Sequence, residues 1–152
     1  LLDAGRDRGL LPCGLGARDV LRIEAGNVLY GHEIDEDTNP VEANLMWAVD
    51  LGKGDFVGRA AVDAAARSGV ARVLAGVVME ERAIPRQGAP LGTGEAPEGT
   101  VTSGTFSPTL EQGIALGYLP LAQSVPGRPA WVEMRGVRRR ARVASLPFVK
   151  RH

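Results

Sequence analysis

The sequence predicts an α+β chain in two parts, a helix-bearing stretch over residues 1–68 and a small antiparallel β-barrel over 69–152. Three observations predict it. Strong helix-forming text occurs before Gly69 and hardly at all after it. Short β-branched and apolar runs, the last pair of them alternating, fill the remainder. Finally, 20 Gly and 10 Pro make up roughly a fifth of the 152 residues, against about an eighth in an average chain. Because they are scattered, they imply many turns and short elements rather than disorder.

In the first part, RDVLRIEA at 18–25 reads as a helix, with Val20, Leu21 and Glu24 at helical spacing and Gly26 where a C-terminal cap belongs. Asn39-Pro40 resembles a helix start, with Asn as N-cap and Pro at the first helical position. WAVDL then alternates through Trp47, Val49 and Leu51 like a strand. A second helix is expected over 55–69, capped by Asp55 and stopped by Gly69. The boundary between the parts falls near Arg67 to Val70.

In the second part, strands are expected over 71–80, 99–107 and 113–121. A hairpin is expected over 130–146, turning at Arg135-Gly136. Five or six short strands separated by Gly and Pro turns point to a barrel.

Composition bounds the function. Lys+Arg and Asp+Glu both total 18, so no bulk charge draws the chain to nucleic acid or an anionic membrane. Sixteen of those cations are Arg, with Lys53 and Lys150 the exceptions. A single cysteine, Cys13, cannot form an internal disulfide and fits a reducing, cytoplasmic setting. No apolar run approaches the roughly 18 residues that cross a bilayer. The opening LLDAGRDRGL has no leader character, and its lack of an initiator Met is expected of a fragment.

Several candidate sites fail on spacing. Asp35, Asp37 and Asn39 begin like a calcium loop, but the sixth and twelfth positions are Pro40 and Met46 where Gly and Glu are required. EIDEDTNP is therefore expected to be an acidic turn. His32, His152 and Cys13 do not have zinc spacing. Ser103 and Ser107 lack a nucleophile-elbow context and read as turn residues. Gly14 and Gly16 form an incomplete glycine motif without force. Arg138, Arg140 and Arg142 share one face of an alternating strand and read as a solvated outer surface. Arg18 near a helix start is either paired with an acid such as Asp19 or aimed at an anionic ligand. Trp47 and Tyr30, two of seven aromatics, read as core or as walls for a flat ligand ring.

Taken together, six segments resemble the glycine cleavage T-protein family of folate-dependent aminomethyltransferases: 14–35 (GLGARDVLRIEAGNVLYGHEID), 38–62 (TNPVEANLMWAVDLGKGDFVGRAAV), 84–90 (IPRQGAP), 101–110 (VTSGTFSPTL), 114–120 (IALGYLP) and 146–150 (LPFVK). They occur in family order along almost the whole chain. The resemblance implies the C-terminal part of a folate-binding α+β domain followed by a Greek-key barrel. It implies tetrahydrofolate as cosubstrate, the lipoylated H-protein as partner, and no metal, while the balanced charge and the lack of a long apolar run leave no nucleic acid or membrane expected as partner. Arg18 in GARD matches the family's folate-contacting Arg, and Trp47 an aromatic lining the pocket. Tyr30 belongs to the LYG motif, and Arg151 lies nearest a further contact to the folate tail. The family's carbon-transfer Asp and pterin-holding Glu match nothing in these residues, so no catalytic residue is expected here and the segment alone is expected to be inactive. Two relatives remain as alternatives: the folate module of sarcosine and dimethylglycine dehydrogenases, and a non-catalytic folate-binding protein marked by K-G-C-Y-x-G-Q-E. Asp55 stands where the latter has Cys. A barrel binding RNA through Arg138 to Arg142 is a further alternative.

Overall fold

The computed structural model describes residues 1–150, so Arg151 and His152 lie outside the described residues. A four-residue helix α1 (Leu2–Gly5) and one 3-10 turn (Arg6–Arg8) precede helix α2 (Leu15–Glu24). Helix α2 closes as expected at Gly26. The Gly26 N–H donates to Ile23 O and the Asn27 N–H to Arg22 O, satisfying two carbonyls that the last turn leaves open. Its inward face is Arg22, Ile23 and Glu24, whereas Leu21 is exposed. Helix α3 (Arg59–Ser68) ends before Gly69 as predicted.

Three expectations for the first part fail. The Asn39-Pro40 start does cap, the Val41 N–H donating to Asn39 Oδ1 at 2.9 Å. It leads only into a hydrogen-bonded turn that stops at Asn44 in the left-handed region, not into a helix. WAVDL is not a strand; Met46–Ala48 is a 3-10 turn. A strand needs a partner edge, and the barrel is closed. Asp55 is not the cap of α3, which starts four residues later behind Gly58 with no side-chain cap.

The second part is an antiparallel barrel of six strands: β1 (Arg72–Met79), β2 (Pro90–Gly92), β3 (Gly99–Ser107), β4 (Gln112–Pro120), β5 (Pro129–Met134) and β6 (Val137–Ala144). Their order around the barrel is β1-β4-β3-β2-β5-β6, closed by β1 on β6. Strands β2 to β4 form a meander and β1 returns to lie beside β4, a Greek-key arrangement. The β5–β6 hairpin turns at Arg135 and Gly136, both at positive φ, the two-residue turn whose twist suits adjacent strands.

Two apolar cores result. Val77, Met79, Leu91, Val101, Leu119, Val132 and Val143 fill the barrel. Ile23 of α2 packs with Leu74, Ile114, Leu116 and Tyr118 on the barrel's outside, flanked by Val28, Leu146 and Phe148. Strand β4 is therefore buried on both faces from Gly113 to Leu119.

Candidate functional site

Helix α2 lies along β3 and is fastened to it by buried polar groups, of which Arg22 and Glu33 have no local signal in the sequence. Arg22, 7% exposed, has all three guanidinium nitrogens engaged. Its Nε donates to Asp19 Oδ1 at 2.7 Å, Nη1 to Glu33 Oε2 at 2.7 Å, and Nη2 to Ser103 Oγ at 2.8 Å. Glu33, 1% exposed, also accepts the Leu29 N–H at 3.0 Å and the Thr102 hydroxyl at 2.7 Å. Its main-chain carbonyl accepts the Tyr118 hydroxyl at 2.8 Å. Burial pushes the Tyr118 phenol up to about 12, so it remains a donor throughout the physiological range. Arg72 lies over the Tyr118 ring at 4.6 Å and pairs with Glu42.

Thr102 and Ser103 are consecutive, and regular strand residues face opposite sides. Here both serve the same network because the β3–β4 register shifts between Val101 and Ser103. A bulge re-aims side chains in this way. Four residues on, Ser107 donates to Glu24 Oε1 at 2.5 Å, and the Thr109 hydroxyl donates to Glu24 Oε2 at 3.2 Å. Ser103 and Ser107 are thus buried strand residues rather than turn residues. Their partners lie about 80 positions away in the sequence, and no local pattern signals such pairing.

The residues singled out from sequence are placed differently. Arg18 is exposed in α2 and makes no ion pair among the described residues; Asp19 is committed to Arg22 instead. Trp47 is 84% exposed and Tyr30 66% exposed, which overturns the core alternative for both. Neither packs in an apolar core, so each indole or phenol face is available. No hydrogen bond or ion pair joins Arg18, Trp47 and Tyr30 to one another among the described residues. Arg151 lies outside the described residues.

EIDEDTNP is an acidic turn: the Asp37 N–H and the Thr38 hydroxyl both donate to Asp35 Oδ1, and the Thr38 bond holds that carboxyl below its usual range. Glu33, at its head, is the exception, buried in the network. Among the described residues no group of three or more His, Cys, Asp or Glu could hold a metal ion. His32 Nδ1 lies 3.4 Å from Thr102 O and from Ser103 Oγ. Arg139 and Arg140 pair with Glu81, Arg142 pairs with Glu80, and Arg138 stacks over Trp131 at 4.0 Å. These exposed arginines are tied to the protein's own acids and indole, as a solvated outer face would be.

A surface groove of about 920 Å3 lies elsewhere, at the barrel end near Met79, Ile84 and Phe106. A smaller one of about 340 Å3 runs between α2 and Pro108-Thr109, lined by Ala17, Val20 and Leu21.

Residues 72–150 match the family profile described as the glycine cleavage T-protein C-terminal barrel domain, and residues 1–53 that of the GCVT N-terminal domain. The chain belongs to the glycine cleavage T-protein family. An aminomethyltransferase of Symbiobacterium thermophilum is 52% identical over 151 residues, covering 99% of this chain and 40% of that protein. One of Chlorobium luteolum is 50% identical over 151 residues, covering 99% and 41%. A solved structure, the glycine cleavage system aminomethyltransferase T from Bartonella henselae, is similar with a TM-score of 0.84 at 41% identity. It covers 90% of this chain and 39% of that one. The chain thus spans about two-fifths of the length of these T-protein relatives. No helix among the described residues is long and apolar enough to cross a membrane.

Proposed function

We propose that these residues serve tetrahydrofolate-dependent aminomethyl transfer in the glycine cleavage system of a bacterial cytoplasm. The one-carbon unit passes from the aminomethyl-lipoyl H-protein to tetrahydrofolate, with release of ammonia. In that reaction the carbon exchanges its bonds to the lipoyl sulfur and the amine for two bonds to folate nitrogens. One folate N–H proton goes to sulfur and the other leaves with ammonia. Such chemistry needs the folate nitrogen held against the carbon, and water excluded from an iminium-like species.

The observation that carries the reading is Arg18. In a chain about half identical to aminomethyltransferases, it is an exposed guanidinium without an ion pair among the described residues, one helical turn from an arginine wholly committed to the protein. A planar fork of donors suits a carboxylate or the polar edge of a ring. The exposed indole of Trp47 and phenol of Tyr30 supply flat apolar faces of the kind that line ring pockets. The donor set therefore fits tetrahydrofolate, with Arg18 and Trp47 as its principal contacts here and Tyr30 and Arg151 as further ones.

Arg18→Ala in the gene product that carries these residues is expected to raise the KM for tetrahydrofolate about tenfold. That corresponds to one lost charged hydrogen bond. Steady-state kinetics with H-protein and tetrahydrofolate check it, and an unchanged KM would remove Arg18 from the site.

A further inference from the structure

Helix α2 carries two arginines with opposite surroundings. Arg18 is exposed, whereas Arg22, four residues on and therefore on the same side of the helix, is buried with every nitrogen engaged. We infer that Glu33, Arg22 and the bulged pair Thr102-Ser103 are positioning residues for the folate site, through which the barrel sets the pose of the helical turn bearing Arg18. This rests on the folate reading given above.

The argument begins with what the network fixes. Glu33 receives bonds from α2, from its own turn, from β3 and, at its carbonyl, from β4. Its carboxylate is therefore held by Leu29 and Thr102 independently of Arg22. Arg22 in turn holds Asp19, the residue next to Arg18, through its Nε. The backbone that carries Arg18 is thus braced from both its sequence neighbour and the following turn.

Stability alone does not account for a polar seam here. A buried ion pair is often replaceable by apolar side chains without loss of stability. Ile23 already supplies an apolar contact at the same seam. Apolar burial is non-directional, so Ile23 by itself would let the helix slide or roll on β4. Hydrogen bonds are directional and set one register. Two such anchors act on α2: Arg22 at Ser103 and Glu24 at Ser107. Anchors at two points along β3 fix both the slide and the roll of the helix. The bulge between Val101 and Ser103 is what lets β3 offer two adjacent side chains to the first anchor.

The test uses the gene product that carries these residues, with tetrahydrofolate binding followed by calorimetry alongside KM and kcat. Thr102→Val removes the hydroxyl donor at nearly constant shape, and Thr102→Ser retains it. Thr102→Val and Glu33→Gln are expected to raise the folate Kd and KM about fivefold or more while kcat changes less than about twofold. Thr102→Ser should restore values near the parent's. In an Arg18→Ala background, Thr102→Val should add less than about twofold, because groups acting through one another are non-additive. Where Glu33→Gln does not fold, the two Thr102 variants decide alone. A raised Kd in Arg18→Ala with an unchanged Kd in Thr102→Val overturns this inference and leaves the folate reading standing. Equal penalties in both backgrounds also overturn it, since the network would then act independently of Arg18. An unchanged Kd in Arg18→Ala overturns the folate reading, and this inference with it.

Discussion

A methyl group at Gly99 would sit 1.8 Å from the Tyr118 carbonyl oxygen, and one at Gly113 would sit 2.0 Å from that of Ala83. In both cases the obstruction is backbone, which cannot swing aside as a flexible side chain would. Gly99→Ala is therefore expected to lower stability by about 3 kcal/mol, the upper range for overpacking. Urea unfolding followed by circular dichroism measures it, and a loss below about 1 kcal/mol would show that the β3–β4 pair can spread locally. Spreading there would reach the functional seam, because Tyr118 pairs with Thr100 and its hydroxyl holds the Glu33 carbonyl. At this scale the sequence was informative about charge and poor about partners. Arg18 was picked out by its position near a helix start. Arg22 and Glu33 carry no such mark, and Ser103 and Ser107 read as turn residues, because each finds its partner through the tertiary fold. Trp47 and Tyr30 show the converse: aromatic character implies burial on average, and both are exposed.

Among the elements, the loop joining β2 to β3 is organised by one carboxylate. Glu98 accepts the Thr93 N–H and hydroxyl, each at 2.7 Å, and the Gly94 N–H at 3.2 Å. The Thr93 hydroxyl bond, followed by the Thr93 backbone bond, holds the Glu98 carboxyl below its ordinary 4.5. A carboxyl whose folded value is depressed contributes stability above its unfolded value. That contribution is lost as pH falls from about 4.5 through the folded value. Thr93→Val removes the largest of these bonds. The variant should melt below the parent at pH 7 and converge with it once the pH falls below the depressed folded value, which melting temperatures across the acid range will reveal. A constant gap at all pH values would mean that the hydroxyl acts on the loop without acting on Glu98. Element by element, legibility followed length and regularity. Strands β1, β3 and β4 are legible as β-branched, Thr/Ser/Gly-rich and apolar runs, and the β5–β6 hairpin as alternation about its Arg135-Gly136 turn. Strand β2 has three residues, too few to display a period. The bulge in β3 leaves no mark in a Thr/Ser/Gly run. The segment around Trp47 alternates but has no free sheet edge to join.

For the whole molecule, the question is whether residues 1–68 and 69–152 behave as separate units. Each part has its own local pattern, which is why the sequence predicts a boundary near Arg67 to Val70. The seam argues for joint behaviour. Ile23 is fully buried against Leu74, Ile114, Leu116 and Tyr118, all from the barrel. The Glu24 carboxylate takes its hydrogen bonds from Ser107 and Thr109, and the Glu33 carboxylate takes one from Thr102. If the barrel unfolded first, those bonds would be lost, and Ile23 and the apolar outer face of β4 would be exposed together. If the helical part detached, the same surfaces would be exposed from the other side. Neither route leaves a satisfied intermediate, so a single cooperative transition is expected of the chain in urea. Ile23→Ala should shift its midpoint to lower denaturant, a loss of about 2–5 kcal/mol as for other buried Ile to Ala changes. The slope should be unchanged, because the surface exposed on unfolding is nearly the same. Two resolved transitions in the parent, or an Ile23→Ala effect confined to one of them, would establish two independent units. The polar seam would then be a docking contact between them rather than part of a common core.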